Sequence, residues 1–269
     1  MADQVSIGAK AGFICDMDGV LYHGNTLLPG AGEFVAWLTA ADKKYLFLTN
    51  SSAKSPRELS EKLARLGLEV GPERFYTSAM ATASFLASQC PGGSCYVIGE
   101  PGLIHALYEV GFSMDDVSPD YVVIGETAGY NYDRITHAIR LVRRGARLIG
   151  TNPDLTGPVE GDIVPATGSL MAPIEMASGC RAYYTGKPNP LMMRIALQRL
   201  GCRREETIII GDRMDTDILA GIEAEIDTIL VLTGVTTAED LRLFAYRPRY
   251  VYASIGAIVA ELAGRPDSH

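Results

Sequence analysis

The chain has 269 residues, of which 47% are hydrophobic and 21% charged, and it carries a formal net charge of −8. That length allows one large domain or two modest ones, and the composition is that of an ordinary globular α/β protein. An acidic balance with no basic block argues against a nucleic-acid polymer as partner, so an anionic ligand would need positive charge supplied locally. The N-terminal MADQVSIGAK lacks a basic-then-apolar signal pattern, and no apolar run reaches about 18 residues. A cytoplasmic location without membrane association is expected. Five cysteines at 15, 90, 95, 180 and 202, with no CxxC, read as thiols in a reducing compartment.

Strand-like runs alternate with helical ones along the chain. GFICD (12–16) leads to a helix over about 32–41, and YLFLT (45–49) ends in Asn50-Ser51-Ser52. A helix entered through Ser55-Pro56 follows, then RFYTS (74–78) and a helix over about 79–88. Repeated βα units with short connections predict a mostly parallel sheet covered on both faces. CPGGS (90–94) marks a break, after which CYVIGE, YVVIGE and ARLIGT supply a second set of strands. Helices are predicted near 101–110 and 131–144, where Ile135, Ile139 and Val142 fall at i, i+4 and i+7. A polar, Pro/Gly-rich segment (151–169), a helix near 170–178 and AYYTGKPNP (182–190) come next. EETIIIGDRMDTDILAG, DTILVLTG and YVYAS then return to the first style of unit. The pattern predicts a core in two pieces, 1–81 and 182–269, with a smaller α/β domain inserted at 82–181.

Four strand-like runs end in polar side chains: Asp16 with Asp18, Thr49 with Asn50, Lys187, and Asp212 with Asp217. In an open parallel sheet the strand C-termini share one edge, where ligands bind. Period-2 geometry puts Asp16 and Asp18 on one side of an extended chain, and a divalent cation or a shared proton would relieve their repulsion. Asp16 and Asp212 suit a hard cation such as Mg²⁺, while Lys187, the Thr49 hydroxyl and helix N-termini suit a phosphate. Asp16 can then act as nucleophile and Asp18 as a proton donor with a raised pKa.

DMDGV, FLTN, GKP and GDRMDTD, in that order, resemble the four motifs of the haloacid dehalogenase (HAD) superfamily of phosphohydrolases. The insertion between the second and third motifs, with YTSAMAT and TNPD, resembles the NagD-like branch, subfamily IIA, over about residues 12–258. The resemblance implies a Rossmann-like parallel-sheet core with an α/β cap. It implies Asp16 as nucleophile, Asp18 as general acid/base, and phosphate bound by Thr49, Asn50 and Lys187. Mg²⁺ would be held by Asp16, the Asp18 main-chain carbonyl and Asp212, with Asp217 orienting metal-bound water. The loop Arg213, Met214, Asp215 and Thr216 would line the phosphate side. Thr49 stands where many relatives carry Ser, which keeps the hydroxyl. The expected activity is hydrolysis of small phosphorylated metabolites, nucleoside 5′-monophosphates first, with phosphosugar, p-nitrophenyl, pyridoxal or phosphoglycolate phosphatase as alternatives. Cap-mediated dimers occur in the branch, so a homodimer through the cap is an expectation of the same origin.

Other readings are weaker. An EF-hand loop starting at Asp16 would need Glu where Leu27 stands. GEPG and GETAG match no phosphate-binding glycine pattern and read as turns. His23 reads as a loop residue, with substrate contact the alternative, and Cys15 as a packing residue facing away from the site. A phospho-accepting regulator also uses strand-end Asp, Thr and Lys, but has no use for an insertion of about 100 residues. A phosphotransferase would use the same acyl-phosphate and differ in excluding water. The polar loop 151–169, with Asp154, Glu160 and Asp162, is the expected region of substrate contact.

Overall fold

The apolar runs become strands of two parallel sheets in a computed structural model that describes residues 7–159 and 162–264. In chain order the strands are β1 (Gly12–Cys15), β2 (Tyr22–His23), β3 (Thr26–Leu27), β4 (Lys44–Thr49), β5 (Phe75–Thr77), β6 (Ser94–Ile98), β7 (Ser113–Met114) and β8 (Tyr121–Ile124). They continue with β9 (Arg147–Gly150), β10 (Thr156–Val159), β11 (Asp162–Pro165), β12 (Tyr183–Tyr184), β13 (Thr207–Gly211), β14 (Asp227–Val231) and β15 (Tyr250–Tyr252). One sheet has the order β15-β14-β13-β1-β4-β5 and the other β12-β9-β8-β6-β7. β1 runs parallel to both β4 and β13, with Cys15 opposite Phe47 and Ile210.

The chain divides into two compact units: 1–48, 60–75 and 193–269 in the first, 49–59 and 76–192 in the second. The expected crossings at 82 and 181 both lie inside the second unit. Helix Ser78–Gln89 runs through the first of these positions, and Tyr183–Tyr184 pairs with β9 in the second sheet. The polar segment 151–169 contains an antiparallel hairpin, β10 with β11, which its Pro and Gly content had disguised as loop. Glu160 lies outside the described residues.

All four residues of β1 are buried, as expected for a parallel strand covered on both faces. Phe13 meets Trp37 edge-on at 5.4 Å and Phe34 at 6.1 Å, which pins helix Ala31–Ala40 to the sheet. Burying such side chains contributes about 1.5–3 kcal/mol each and holds the strand end that carries Asp16. In the second unit, Leu103, Leu107, Phe112 and Val123 fill one face of the sheet, and Ile124, Leu141, Met171 and Ile174 the other. Among the described residues no helix is long and apolar enough to cross a membrane.

Candidate active site

The sequence-predicted site residues divide between the two units. In the first, β1 and β13 are neighbours with Cys15 opposite Ile210, so extending the register sets Asp16 beside Gly211 and Asp212 one residue further. The Asp16 N–H continues the ladder by donating to the Ile210 carbonyl at 2.8 Å. After β13 the chain enters a π-helical turn, Met214–Ile218, which swings Asp217 back towards the strand end. Asp217 Oδ2 accepts from the Arg213 N–H at 3.2 Å. Asp16, Asp212 and Asp217 each place a carboxylate oxygen within 4.8 Å of the others.

Asp212 is held by a loop to which sequence reasoning assigned no role. The Val235 N–H donates to Asp212 Oδ2 at 2.7 Å, and the Thr236 N–H donates to the Asp212 carbonyl at 3.1 Å. A Cβ on Gly234 would stand 2.0 Å from Asp212 Oδ2, and one on Gly19, whose φ is +79°, 2.7 Å from it. Thr233 donates to the Gly19 carbonyl at 2.6 Å, tying this loop to the DMDG turn. The available signal was the strand-to-glycine ending LTG after β14.

Asp18 is not part of the carboxylate triad. Its Oδ1 is buried without a hydrogen-bond partner among the described residues, and His23 Nδ1 stands 3.6 Å away on the β2–β3 hairpin. Burial raises the Asp18 pKa, partly offset by the charges of Lys62 and His23 and by the Gly19 N–H. Lys62 itself lies 3.7 Å over the Tyr22 ring. The two aspartates of DMD therefore occupy different environments, one among carboxylates that a cation would compensate and one suited to holding a proton.

The loop 213–216 is tied both to itself and to neighbouring elements. Arg213 pairs with Asp215 at 3.0 Å, Met214 packs with Ile218 and Leu230 while its N–H donates to Thr236 Oγ1, and Thr216 is buried. Cys15 is buried, in keeping with a packing role.

In the second unit Asn50, next in sequence to Thr49, meets Lys187. Asn50 Oδ1 accepts from the Lys187 N–H at 2.7 Å, and Asn50 Nδ2 donates to the Lys187 carbonyl at 2.9 Å and to Asp154 Oδ2 at 3.1 Å. The Asn50 carbonyl accepts from Ser78 Oγ at 2.5 Å and Asn152 Nδ2 at 2.7 Å. The Asn50 amide is thus occupied by protein groups. Asp154, expected to touch substrate, accepts from Asn50, and Asp162 is exposed on β11. The Ser51 N–H donates to Thr49 Oγ1 at 3.1 Å. Lys187 is buried.

The geometry fits a hard divalent cation: three clustered carboxylates repel one another unless a cation compensates them, and oxygen donors of this kind suit Mg²⁺. Residues 13–113 match the model of the haloacid dehalogenase-like hydrolases, and residues 184–258 match a second HAD-hydrolase-like model. A dihydroxyacetone phosphatase of Corynebacterium glutamicum is 48% identical over 90% of this chain and 88% of its own. The ribonucleotide monophosphatase NagD of Escherichia coli K12 is 45% identical over 91% of this chain and 96% of its own.

The chain belongs to the haloacid dehalogenase-like hydrolases.

Within this HAD family it is NagD-like. A solved 4-nitrophenylphosphatase from Thermotoga maritima superposes with a TM-score of 0.90 at 34% identity, covering 94% of this chain and 97% of that one. The α/β architecture read from the sequence is the HAD architecture of these neighbours.

Proposed function

We propose that this HAD hydrolase is a Mg²⁺-dependent phosphomonoesterase that works through an aspartyl-phosphate on Asp16. It is an enzyme of the phosphoric monoester hydrolase class, as the names of its relatives indicate. The observation that carries the mechanism is the separation of the two DMD carboxyls, Asp16 within the triad and Asp18 outside it with a raised pKa.

Asp16, Asp212 and Asp217, with the Asp18 carbonyl, would hold Mg²⁺, which supplies charge neutralisation to the phosphoryl oxygens and to the attacking carboxylate. The Thr49 hydroxyl, the Asn50 main chain and the Lys187 ammonium bind the phosphoryl group. An Asp16 oxygen bonds to phosphorus as the ester P–O bond breaks, and Asp18 gives its proton to the departing alkoxide. Asp18, now a carboxylate, takes a proton from water as the water oxygen attacks the acyl-phosphate, which frees phosphate and restores both carboxyls. The Arg213–Thr216 loop supports this site.

The substrates we propose are small monoesters, nucleoside 5′-monophosphates first, with loose selection. The relatives named dihydroxyacetone phosphatase and acid sugar phosphatase give triose and sugar phosphates as the second reading. A panel of phosphate esters assayed with Mg²⁺ tests both. Phosphate release that survives Asp16→Asn would overturn the covalent mechanism, and preference for a sugar bisphosphate would overturn the substrate assignment.

A further inference from the structure

Glu126 follows β8 in the GETAG segment, which had the look of a plain turn. Its carboxyl is half-buried and hydrogen-bonded. Glu126 Oε2 accepts from Ser51 Oγ at 2.9 Å, and the Glu126 N–H donates to Ser52 Oγ at 3.3 Å. Ser51 is bonded onward, its N–H donating to Thr49 Oγ1 at 3.1 Å. A hydroxyl has one proton and two acceptor sites. With an acceptor site of Thr49 engaged by Ser51, its single proton is directed to some other acceptor.

We propose that Glu126 is a positioning residue for the Thr49 hydroxyl, acting through Ser51, and thereby tunes how tightly the protein holds a phosphoryl group. The inference rests on the phosphatase reading above, in which Thr49 donates to a phosphoryl oxygen.

The surroundings favour this over a purely structural turn. The Glu126 pKa is raised to about 6: burial is the largest cause and the Asp154 carboxylate adds to the rise, while hydrogen bonds from Ser51, the Ser52 main chain and Asn152 oppose it. Asp154 is in turn bonded to Asn50, so the charged neighbour of Glu126 grips the next residue of the same phosphate-binding turn. Glu100 stands beside the segment on its other side, accepting from Thr127 Oγ1 and the Ala128 N–H. A carboxylate kept in such a place at neutral pH costs stability, and an apolar side chain would avoid that cost. Charge-assisted hydrogen bonds of this kind hold donors in fixed geometry. Here the donor fixed is the serine that holds Thr49.

The test compares Glu126→Leu, Glu126→Gln, Ser51→Ala and the Leu/Ala double variant with the wild type. Inorganic phosphate binding is read by calorimetry in Mg²⁺, alongside KM and kcat for p-nitrophenyl phosphate. Glu126→Leu and Ser51→Ala should each weaken phosphate binding by roughly three- to tenfold, the loss of one hydrogen bond. The double variant should be no weaker than the weaker single one, because both changes break the same link. Glu126→Gln, which keeps an acceptor for Ser51, should restore binding to within about twofold of wild type. Additive losses, or variants that lower the melting temperature while leaving phosphate affinity and KM unchanged, would overturn the proposal. If Glu126→Leu does not fold, unchanged phosphate affinity in Ser51→Ala overturns it alone. A wild-type chain that binds phosphate yet hydrolyses no ester would instead sink the phosphatase reading.

Discussion

Asn50 and Lys187, 137 positions apart, exchange a pair of hydrogen bonds: the Lys187 N–H donates to Asn50 Oδ1, and Asn50 Nδ2 donates to the Lys187 carbonyl. The side-chain amide acts as a stand-in peptide group, satisfying a donor and an acceptor of a buried stretch of main chain. Two of the four HAD motifs are joined in this way. Asn50→Ala should leave the Lys187 N–H and carbonyl without these partners and cost about 3 kcal/mol. Asn50→Asp should be no better, because it cannot donate to the Lys187 carbonyl and sets a second carboxylate against Asp154. Urea unfolding measures the loss; a change below about 0.5 kcal/mol would mean that solvent replaces both bonds.

Gly234 leaves room for Asp212. Gly234→Ala would bring a methyl group to 2.0 Å from Asp212 Oδ2 and displace the carboxylate. Apparent Mg²⁺ affinity should fall by about 10–100-fold, the usual effect of disturbing a ligand's support. A Mg²⁺ titration of the melting temperature reads this without turnover, and an unchanged midpoint would remove Asp212 from the metal site.

Asp18 is assigned the proton given to the leaving oxygen. Asp18→Asn should therefore slow alkyl phosphates by about 10²–10⁴-fold and p-nitrophenyl phosphate by less, since nitrophenolate departs without a proton. The ratio of kcat/KM values for the two esters measures it. Equal losses would show that Asp18 serves the site in another way.

Glu126 gives a pH signature in stability. Its folded pKa, about 6, stands above the ordinary 4.5, so between those values the folded state binds more protons than the unfolded one. Its contribution to stability is full below about 4.5 and is lost as pH rises through 6. Relative to Glu126→Gln, the wild type should lose about 2 kcal/mol of unfolding free energy between pH 4.5 and 7.5. Chemical denaturation at several pH values reads the difference. A flat difference would mean that Glu126 ionises as if in water.

The positions of Asp16 and Asp212 were legible in the sequence because each follows an apolar run of strand length, and parallel neighbours end at one edge. The helices were legible for the same kind of reason: Pro101 at the start of helix Pro101–Glu109 and the i, i+4, i+7 pattern in helix Tyr132–Arg143 are local signals. The role of the Asn50 amide was not, because its partners are main-chain atoms at 187 and a carboxylate at 154, and nothing within a few residues of FLTN records them. The hold of Val235 on Asp212 and of Glu126 on Ser51 were hidden likewise. Periodicity and turn chemistry act over a handful of residues, so the sequence alone determined the strand ends, the motif residues and the class of chemistry. Which buried polar groups satisfy one another is settled by long-range packing, where each donor must find an acceptor once water is gone. The tertiary structure therefore decided which buried donor meets which acceptor, as Asn50 meets Lys187 and Val235 meets Asp212.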